Sequence, residues 1–520
     1  MNTLKKYIAL SVLAVGIAGC NDQLDIAPKD TLTTDVALST LEGLENSVWG
    51  IYERGRSPYE SNDLSTYKVC GTDLVQAGTH LPDQAIVQSF NNYDFQLNPQ
   101  NTGVRDIWNA SYVAINRCNV ILKNIETVEI NENNATEVNR REAVKGIAYF
   151  FRAYFHLNLV QRWDNIVLST EASEVVEYDV QLASKDDVYA QIEVDLLEAI
   201  GLLPEAINAA GSGAVSKAVA RHALSKAYLD MGEWAKAAEM ANLVIEDGAY
   251  SLEPLDVIFS ENHQDNKEVI FAWQFTSADR DHPQRVVQQM IPLYDRITGV
   301  MRSFEYGGRP WARLFPSDYM LSLYEPEDKR LQSWFVTTLY FNDPDNLPAG
   351  VSLGDPVLPE YAVDAPSGGI RHLTPTCNKY FETDVLGRAL GDAEGYKNVI
   401  EYRLAEAYLV AAEAIMNDPS ASAKAGGKSA LDFINVLRER AGVSAFTSLN
   451  QDMLLEEHAR ELCYEGHRWG MLKRLGLLVD RANEYNTPGA AGNVLPKHVR
   501  WPIPQDFVDL TQVTQNADYN

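Results

Sequence analysis

The residues in this chain best placed to do chemistry are aromatics set among polar side chains, in stretches with no helical period. Phe304 to Trp311 reads FEYGGRPW, where Tyr306 and Trp311 flank Arg309 and the pair Gly307-Gly308 permits unusual backbone. Ser89 to Phe95 reads SFNNYDF, with Phe90 and Tyr93 around Asn91. A flat ring gives the C–H face of a sugar a surface to stack on, while Asn, Asp and Arg take the hydroxyls. Aromatics on loops with polar neighbours are therefore where a neutral ligand is expected. The competing fate is that such rings plug their loops into the core, as isolated aromatics usually do. Trp273 falls to that alternative, because Val269, Phe271, Trp273 and Phe275 alternate along EVIFAWQF and form one apolar strand face.

Catalytic chemistry finds no comparable support. G-x-S-x-G, H-E-x-x-H and G-x-G-x-x-G are all absent. SAKAGGKS, from Ser422, has Ser where a phosphate loop needs its first Gly, and a helix precedes it. It reads as a helix–helix connection. The nine histidines contain no i,i+3 or i,i+4 pair, and His458 and His467 are too far apart on one predicted helix to share an ion directly. Asp343 and Asp345 lack the later ligands and the glycine of a calcium loop. With 72 acidic residues, chance carboxylate pairs abound, and no spacing recommends one as a glycosidase acid and base. Neither enzyme activity, a metal nor a cofactor is expected.

A formal charge of −28 disfavours a nucleic-acid partner and says little about a neutral one. The N-terminus carries an address. Lys5 and Lys6 precede a short apolar run, Ile8 to Ile17, which Ala18-Gly19-Cys20 closes. The run is too short to span a bilayer stably and has the layout of a secretory signal. A small pair before Cys resembles the bacterial lipobox, in which that cysteine is acylated and the chain is cut before it. Residues 1–19 are thus read as a lipoprotein signal peptide, Cys20 as the lipid anchor and 20–39 as a polar tether. Several acyl chains on one residue attach a protein lastingly where a single short chain does not. Cys70, Cys118, Cys377 and Cys463 show no C-x-x-C pairing, and buried free thiols are as well supported as disulfides.

The elements that must position the aromatics are helical. In Ala214 to Tyr250, Leu224 and Tyr228 stand one turn apart, Gly232 breaks the pattern, and Ala237 and Ala241 resume it. That is the spacing of a tetratricopeptide-like helix pair, and alanines at 218, 220, 223 and 227 let its helices come close. One pair cannot bury its own apolar face, so others must stack on it. The four-residue spacing recurs at Phe150/Tyr154 and at Leu404/Tyr408. Further helices are predicted over Thr40–Arg54, Val104–Ile125 and Asp186–Leu203, over Ala430–Arg440, and over Gln451–Leu475 with a break near Gly466 and Gly470. Residues 55–103 and 251–398 lose the period and read as large irregular insertions, with strands expected at Glu268–Phe275 and within Arg330–Phe341. Six prolines and four glycines between 342 and 375 exclude regular structure over most of that stretch. Trp501-Pro502-Ile503-Pro504 cannot be helical and reads as a tail packed back on the body.

The C-terminal motifs carry a resemblance. Glu457-His458-Ala459-Arg460-Glu461-Leu462-Cys463-Tyr464-Glu465-Gly466-His467-Arg468-Trp469 is similar to the E-R-x-x-E-L-x-x-E-G-x-R-W stretch of the SusD/RagB family of outer-membrane nutrient-binding lipoproteins of Bacteroidetes. Asn435 to Gly442 resembles its N-x-x-R-x-R-A-G, Trp501 to Pro504 its tail, and Cys20 to Asp25 its run after the lipobox. Two positions depart from the pattern: His458 stands where the family usually has Arg, and Met471 where an Asp usually precedes the Leu now at 472. Both look structural, and Glu465 and Arg468, three apart, could still pair. The resemblance implies a mostly α fold of about four tetratricopeptide-like helix pairs, a single SusD-like domain over 40–520 with a few short strands in its insertions. It implies a lid over a SusC-like TonB-dependent transporter, to which an oligosaccharide or peptide is handed at the outer membrane's exterior face. No catalytic residue carries over, and the family's ligand residues form no motif, so Tyr306, Arg309, Trp311, Phe90, Asn91 and Tyr93 rest on the residue argument alone. Two other classes stay open: a repeat lipoprotein that binds only another protein, and a lipid-anchored glycoside hydrolase.

Overall fold

In the stretch from Ser216, small side chains let two helices pack tightly. Ser216 caps the first by accepting from the Val219 amide, and Gly232, at φ 74°, ends it in the left-handed conformation that favours glycine. Ala218, Ala220, Ala223 and Ala227 are buried on the first helix, and Ala237 and Ala241 on the second. The computed structural model describes residues 38–77, 85–175, 177–205, 213–362, 373–487 and 489–519. Cys20, the signal peptide and nearly all of the tether lie outside them.

Eight helices follow in series: α1 (Leu41–Glu60), α2 (Thr102–Ile125), α3 (Ala135–Trp163), α4 (Lys185–Leu202), α5 (Lys217–Met231), α6 (Trp234–Ile245), α7 (Leu404–Asn417) and α8 (Ala430–Ala441). Each packs on the next, which makes four successive pairs sharing one apolar core. This is the mostly α, tetratricopeptide-type architecture expected, with few and short strands. Among the described residues no helix is long and apolar enough to cross a membrane.

The long insertion leaves and re-enters this scaffold through one ribbon. Val269–Trp273 pairs antiparallel with Val399–Arg403, from Val269↔Arg403 to Trp273↔Val399, and so ties its two ends together. Trp273 packs into the core as its strand pattern predicts. A Cβ at Gly55 on α1 would lie 2.1 Å from the Trp273 ring, so only glycine admits the indole there. The insertion also has a small core of its own, built from Val287, Ile291, Tyr294, Tyr306, Phe341 and their neighbours. Its described part is thus ordered irregular chain.

Several local expectations need correction. α1 runs on to Glu60, into the stretch expected to be irregular, and a short helix occupies Ala85–Asn92. Arg330–Phe341 is mostly not a strand: Lys329–Trp334 is helical, Phe335–Val336 pairs with Thr376–Cys377, and Tyr340 makes a single antiparallel bridge to Pro356. The C-terminal helix stops at Leu462 as α9 (Gln451–Leu462), and α10 (Arg468–Arg474) begins after a bend at Gly466, φ 88°. Gly470 lies inside α10 and breaks nothing. Because of the bend, Glu465 and Arg468 do not share a helix face. Glu465 instead meets Lys379 and Arg403, at 2.6 Å each, while Arg468 reaches Asp73 at 2.7 Å.

The glutamates of the C-terminal motif prove to be core residues. Glu457 and Glu461 face Arg330 at 2.7 and 3.0 Å, Arg403 bonds both Glu461 and Glu268 at 2.7 Å, and Arg438 bonds Glu457 at 2.9 Å. Ions this deep are tolerable only when each is paired and hydrogen-bonded. Burial alone would raise the Glu461 carboxyl, but Arg440, Arg403 and Arg330 hold it far below the usual carboxylate range. The motif therefore cross-links the insertion, the ribbon and the last helix pair. His458, which stands where the family usually has Arg, is buried; among the described residues its Nδ1 has no hydrogen-bond partner, and burial pushes its pKa well down, so it sits there neutral. The tail packs back as expected: Trp501 and Ile503 are buried, and the Trp163 indole donates to the Pro502 carbonyl at 2.7 Å.

Candidate functional site

The two segments singled out from sequence fare differently. In Ser89–Phe95, the side chains chosen as ligand contacts serve the core. Phe90 is 3% exposed, and Asn91 is fully buried, accepting from the Gly71 amide and donating to Asn486. The Tyr93 hydroxyl donates to the Gly71 carbonyl and accepts from the Trp469 indole. The signal against a loop was present: Val87, Phe90 and Asn91 fall at i, i+3 and i+4, one face of the short helix. Phe95, beyond the end of that helix, was passed over and is 87% exposed.

In Phe304–Trp311 the outcome is divided. Tyr306 is 3% exposed; its hydroxyl accepts from the Tyr340 amide and donates to the Tyr340 carbonyl, and its ring packs edge-on against Tyr294. It is part of the insertion's own core and offers no stacking face. Arg309 and Trp311 are half-buried. The glycine pair does adopt the backbone anticipated, with φ 89° at Gly307 and 80° at Gly308. A Cβ at Gly307 would collide with Phe381 and Ile291 at 2.7 Å, so the turn that brings Arg309 and Trp311 to the surface depends on glycine.

Trp311 is mounted firmly. Its amide donates to the Gln288 carbonyl at 3.1 Å, and the next two amides donate to Ile291 and Gln289 at 2.8 Å. The Arg313 guanidinium lies 4.3 Å from the centre of the Trp311 ring and donates to the Asn62 carbonyl. Gln289 donates to that carbonyl too, at 3.0 Å. Gln288 Oε1 and Gln289 Oε1 are buried and, among the described residues, accept no hydrogen bond. Such oxygens call for a hydroxyl or a water. Just beyond Trp311, Leu314–Pro316 pairs antiparallel with Val75–Ala77, so the two insertions meet beside this ring.

Trp49 was also missed. The α1 stripe Leu41, Leu44, Val48 and Ile51 faces inward and leaves Trp49 67% exposed, on the edge of a groove of about 860 Å³ that Tyr52, Arg56, Arg140 and Ile147 also line. Among the described residues no cluster of three or more His, Cys, Asp or Glu side chains could hold a metal ion. Cys70, Cys118, Cys377 and Cys463 are buried free thiols.

Stacked helix pairs with an aromatic and arginines displayed on the inserted chain define a helical-repeat binding scaffold. Comparison with known proteins makes the class specific. Residues 23–229 match a family model described as "Starch-binding associating with outer membrane", and residues 267–519 match that of the SusD family. The two together take in most of the chain, and it belongs to the SusD/RagB family. Among its relatives, "SusD-like protein P2" of Formosa agariphila is 28% identical over 500 residues, 91% of each chain. "Starch-binding protein SusD" of Bacteroides thetaiotaomicron is 34% identical over 123 residues, 23% of this chain and 21% of that one. Of solved structures, a "Laminarin binding SusD-like protein" superposes with a TM-score of 0.74 at 24% identity, over 92% of this chain and 99% of that one. "Surface glycan-binding protein A" of Bacteroides uniformis does so with 0.72 at 19% identity, over 92% and 100%. At these identities the likeness is one of fold.

Proposed function

We propose that this protein is a surface-exposed outer-membrane lipoprotein, anchored through Cys20, that binds a glycan on its insertions without cleaving it. It delivers that glycan to a SusC-like TonB-dependent transporter. The observation that carries the ligand site is the mounting of Trp311: a half-buried indole stacked on an arginine, in a segment fixed by three backbone hydrogen bonds, with Arg309 two residues before it. A ring fixed in this way stacks on a pyranose without losing further side-chain entropy, which favours affinity. The starch, laminarin and glycan named for its relatives support a carbohydrate over a peptide as the ligand class. Tyr306, Phe90, Asn91 and Tyr93 have no place in this site.

A glycan array probed with the purified protein tests the reading, followed by calorimetry on each hit with wild type and Trp311→Ala. Binding of at least one glycan, weakened in the variant, is the expected result. Silence across neutral glycans, or release of shortened sugars, overturns it.

A further inference from the structure

Arg162, near the end of α3, is a buried cation with no anion beside it. The residue is 8% exposed, and among the described residues no acceptor hydrogen-bonds its guanidinium. Aromatic faces surround it instead: its carbon lies 4.4 Å from the centre of the Trp469 ring, 4.7 Å from that of Trp501 and 5.5 Å from that of Tyr67. Such faces attract a cation but accept none of the five N–H groups in the plane of the guanidinium. Burial lowers the Arg162 pKa, yet a guanidinium keeps its proton in any protein interior.

The guanidinium borders a cavity of about 60 Å³, also lined by Lys68, Asn158, Gln161, Lys226, Glu401 and His467. The other charges around it are already matched. Lys68 bonds both oxygens of Glu401, at 2.7 and 2.9 Å. Lys226 meets Glu406 at 2.5 Å, and Arg474 meets Glu413 and Asp230 at 2.8 and 2.9 Å. His467, its pKa pushed down to about 4 by burial, is neutral and accepts from Lys226 at 2.9 Å. Arg474 has two carboxylates to itself, so the named charges balance overall, but Arg162 is the cation with no carboxylate within reach and no acceptor for its donors. A polar cavity of this size exceeds the room a single water needs.

We infer that this cavity is a binding site for one small monovalent anion, of the size of chloride or formate, held by the Arg162 guanidinium. The anion pairs directly with the one cation that no carboxylate reaches and accepts from the N–H groups that the aromatic faces leave unserved. It sits where α3, the bend before α10 and the Trp501 tail converge, so its role is to hold these three together, apart from the glycan face.

The probes are chloride and bromide, with gluconate, too large for the cavity, as the control at equal ionic strength. Thermal unfolding of the purified protein should shift upward by about 2 °C or more in chloride or bromide relative to gluconate. Arg162→Met, which keeps an unbranched side chain between the rings, should abolish that difference. Equal melting in all three salts overturns the site, as does a variant that keeps the full anion dependence. Should Arg162→Met fail to fold, the wild type decides alone. Crystals grown in bromide should show an anomalous peak within hydrogen-bond reach of the guanidinium, and water density without one overturns the proposal.

Discussion

The Phe90 ring lies flat against the Trp501 indole, their centroids 4.7 Å apart and their planes 4° from parallel. One ring belongs to the first insertion and the other to the C-terminal tail, so the stack fastens the tail to that insertion. Trp163 closes it edge-on, 5.3 Å from Trp501. Phe90→Ala should therefore cost about 3–5 kcal/mol of stability in urea unfolding. The folded fraction should bind glycan as wild type does. A variant of normal stability with weakened binding would return Phe90 to the ligand site.

Trp311→Ala should do the reverse. It removes a half-buried ring stacked on Arg313, outside the main core, so the loss of stability should be about 1–2 kcal/mol, less than for Phe90→Ala. Glycan affinity should drop roughly tenfold or more, the equivalent of about 1.4 kcal/mol. Calorimetry and urea unfolding on one preparation separate the two effects, and unchanged affinity removes Trp311 from the site.

Glu461→Gln addresses the buried ions. The carboxylate faces Arg330, Arg403 and Arg440, and the neutral amide would leave their charge in excess. A loss of about 3–5 kcal/mol is expected from breaking such a buried set. Urea unfolding measures it, and a loss below about 1 kcal/mol would mean that water reaches the network.

Stability should also fall with acid in two windows. Burial pushes the pKa of His156 down to about 3 and those of His467 and His498 to about 4, all below an unfolded value of about 6.5. Between those values the unfolded chain binds more protons, so stability present above about pH 6.5 drains away as pH falls toward 4. Glu401 adds a lower window: burial alone would raise it, but Lys68 outweighs that and holds it at about 2. Its contribution is lost between about pH 4.5 and 2. Urea unfolding across this range should show a total loss of at least about 3 kcal/mol by pH 4. A flat profile would place these histidines in contact with water.

Cys20→Ala should release the protein from membranes without unfolding it. Fractionation followed by circular dichroism checks both halves, and membrane retention of the variant would end the lipid-anchor reading.

The scaffold was legible because a helical repeat is a local pattern. Leu224 and Tyr228, the alanines around them and Gly232 each report on their own turn, and recurrence did the rest. Trp273 was legible for the same reason, since strand alternation shows which face is apolar. The site was only half legible. Tyr306 and Trp311 sit in the same short segment, with similar chemistry and similar neighbours. What separates them is Tyr340, Tyr294 and Phe381, which the fold brings from elsewhere. No local spacing records such partners. Phe90 and Asn91 were misread for a different reason: an eight-residue helix inside a long irregular stretch offers too few turns to stand out.

The motif that betrayed the family in sequence also sets a timetable for the chain. Arg330 and Arg403 are synthesised long before Glu457, Glu461 and Glu465, which complete their neutralisation, and Arg468 reaches back across 395 residues to Asp73. Contacts so remote close only after the intervening chain is ordered, and they place the protein among the slower folders. A chain that ends before residue 457 keeps those arginines under-compensated, so the insertion and its ribbon cannot settle either. Settling of the insertion and its ribbon therefore waits for the last helices, however early the local helix pairs form.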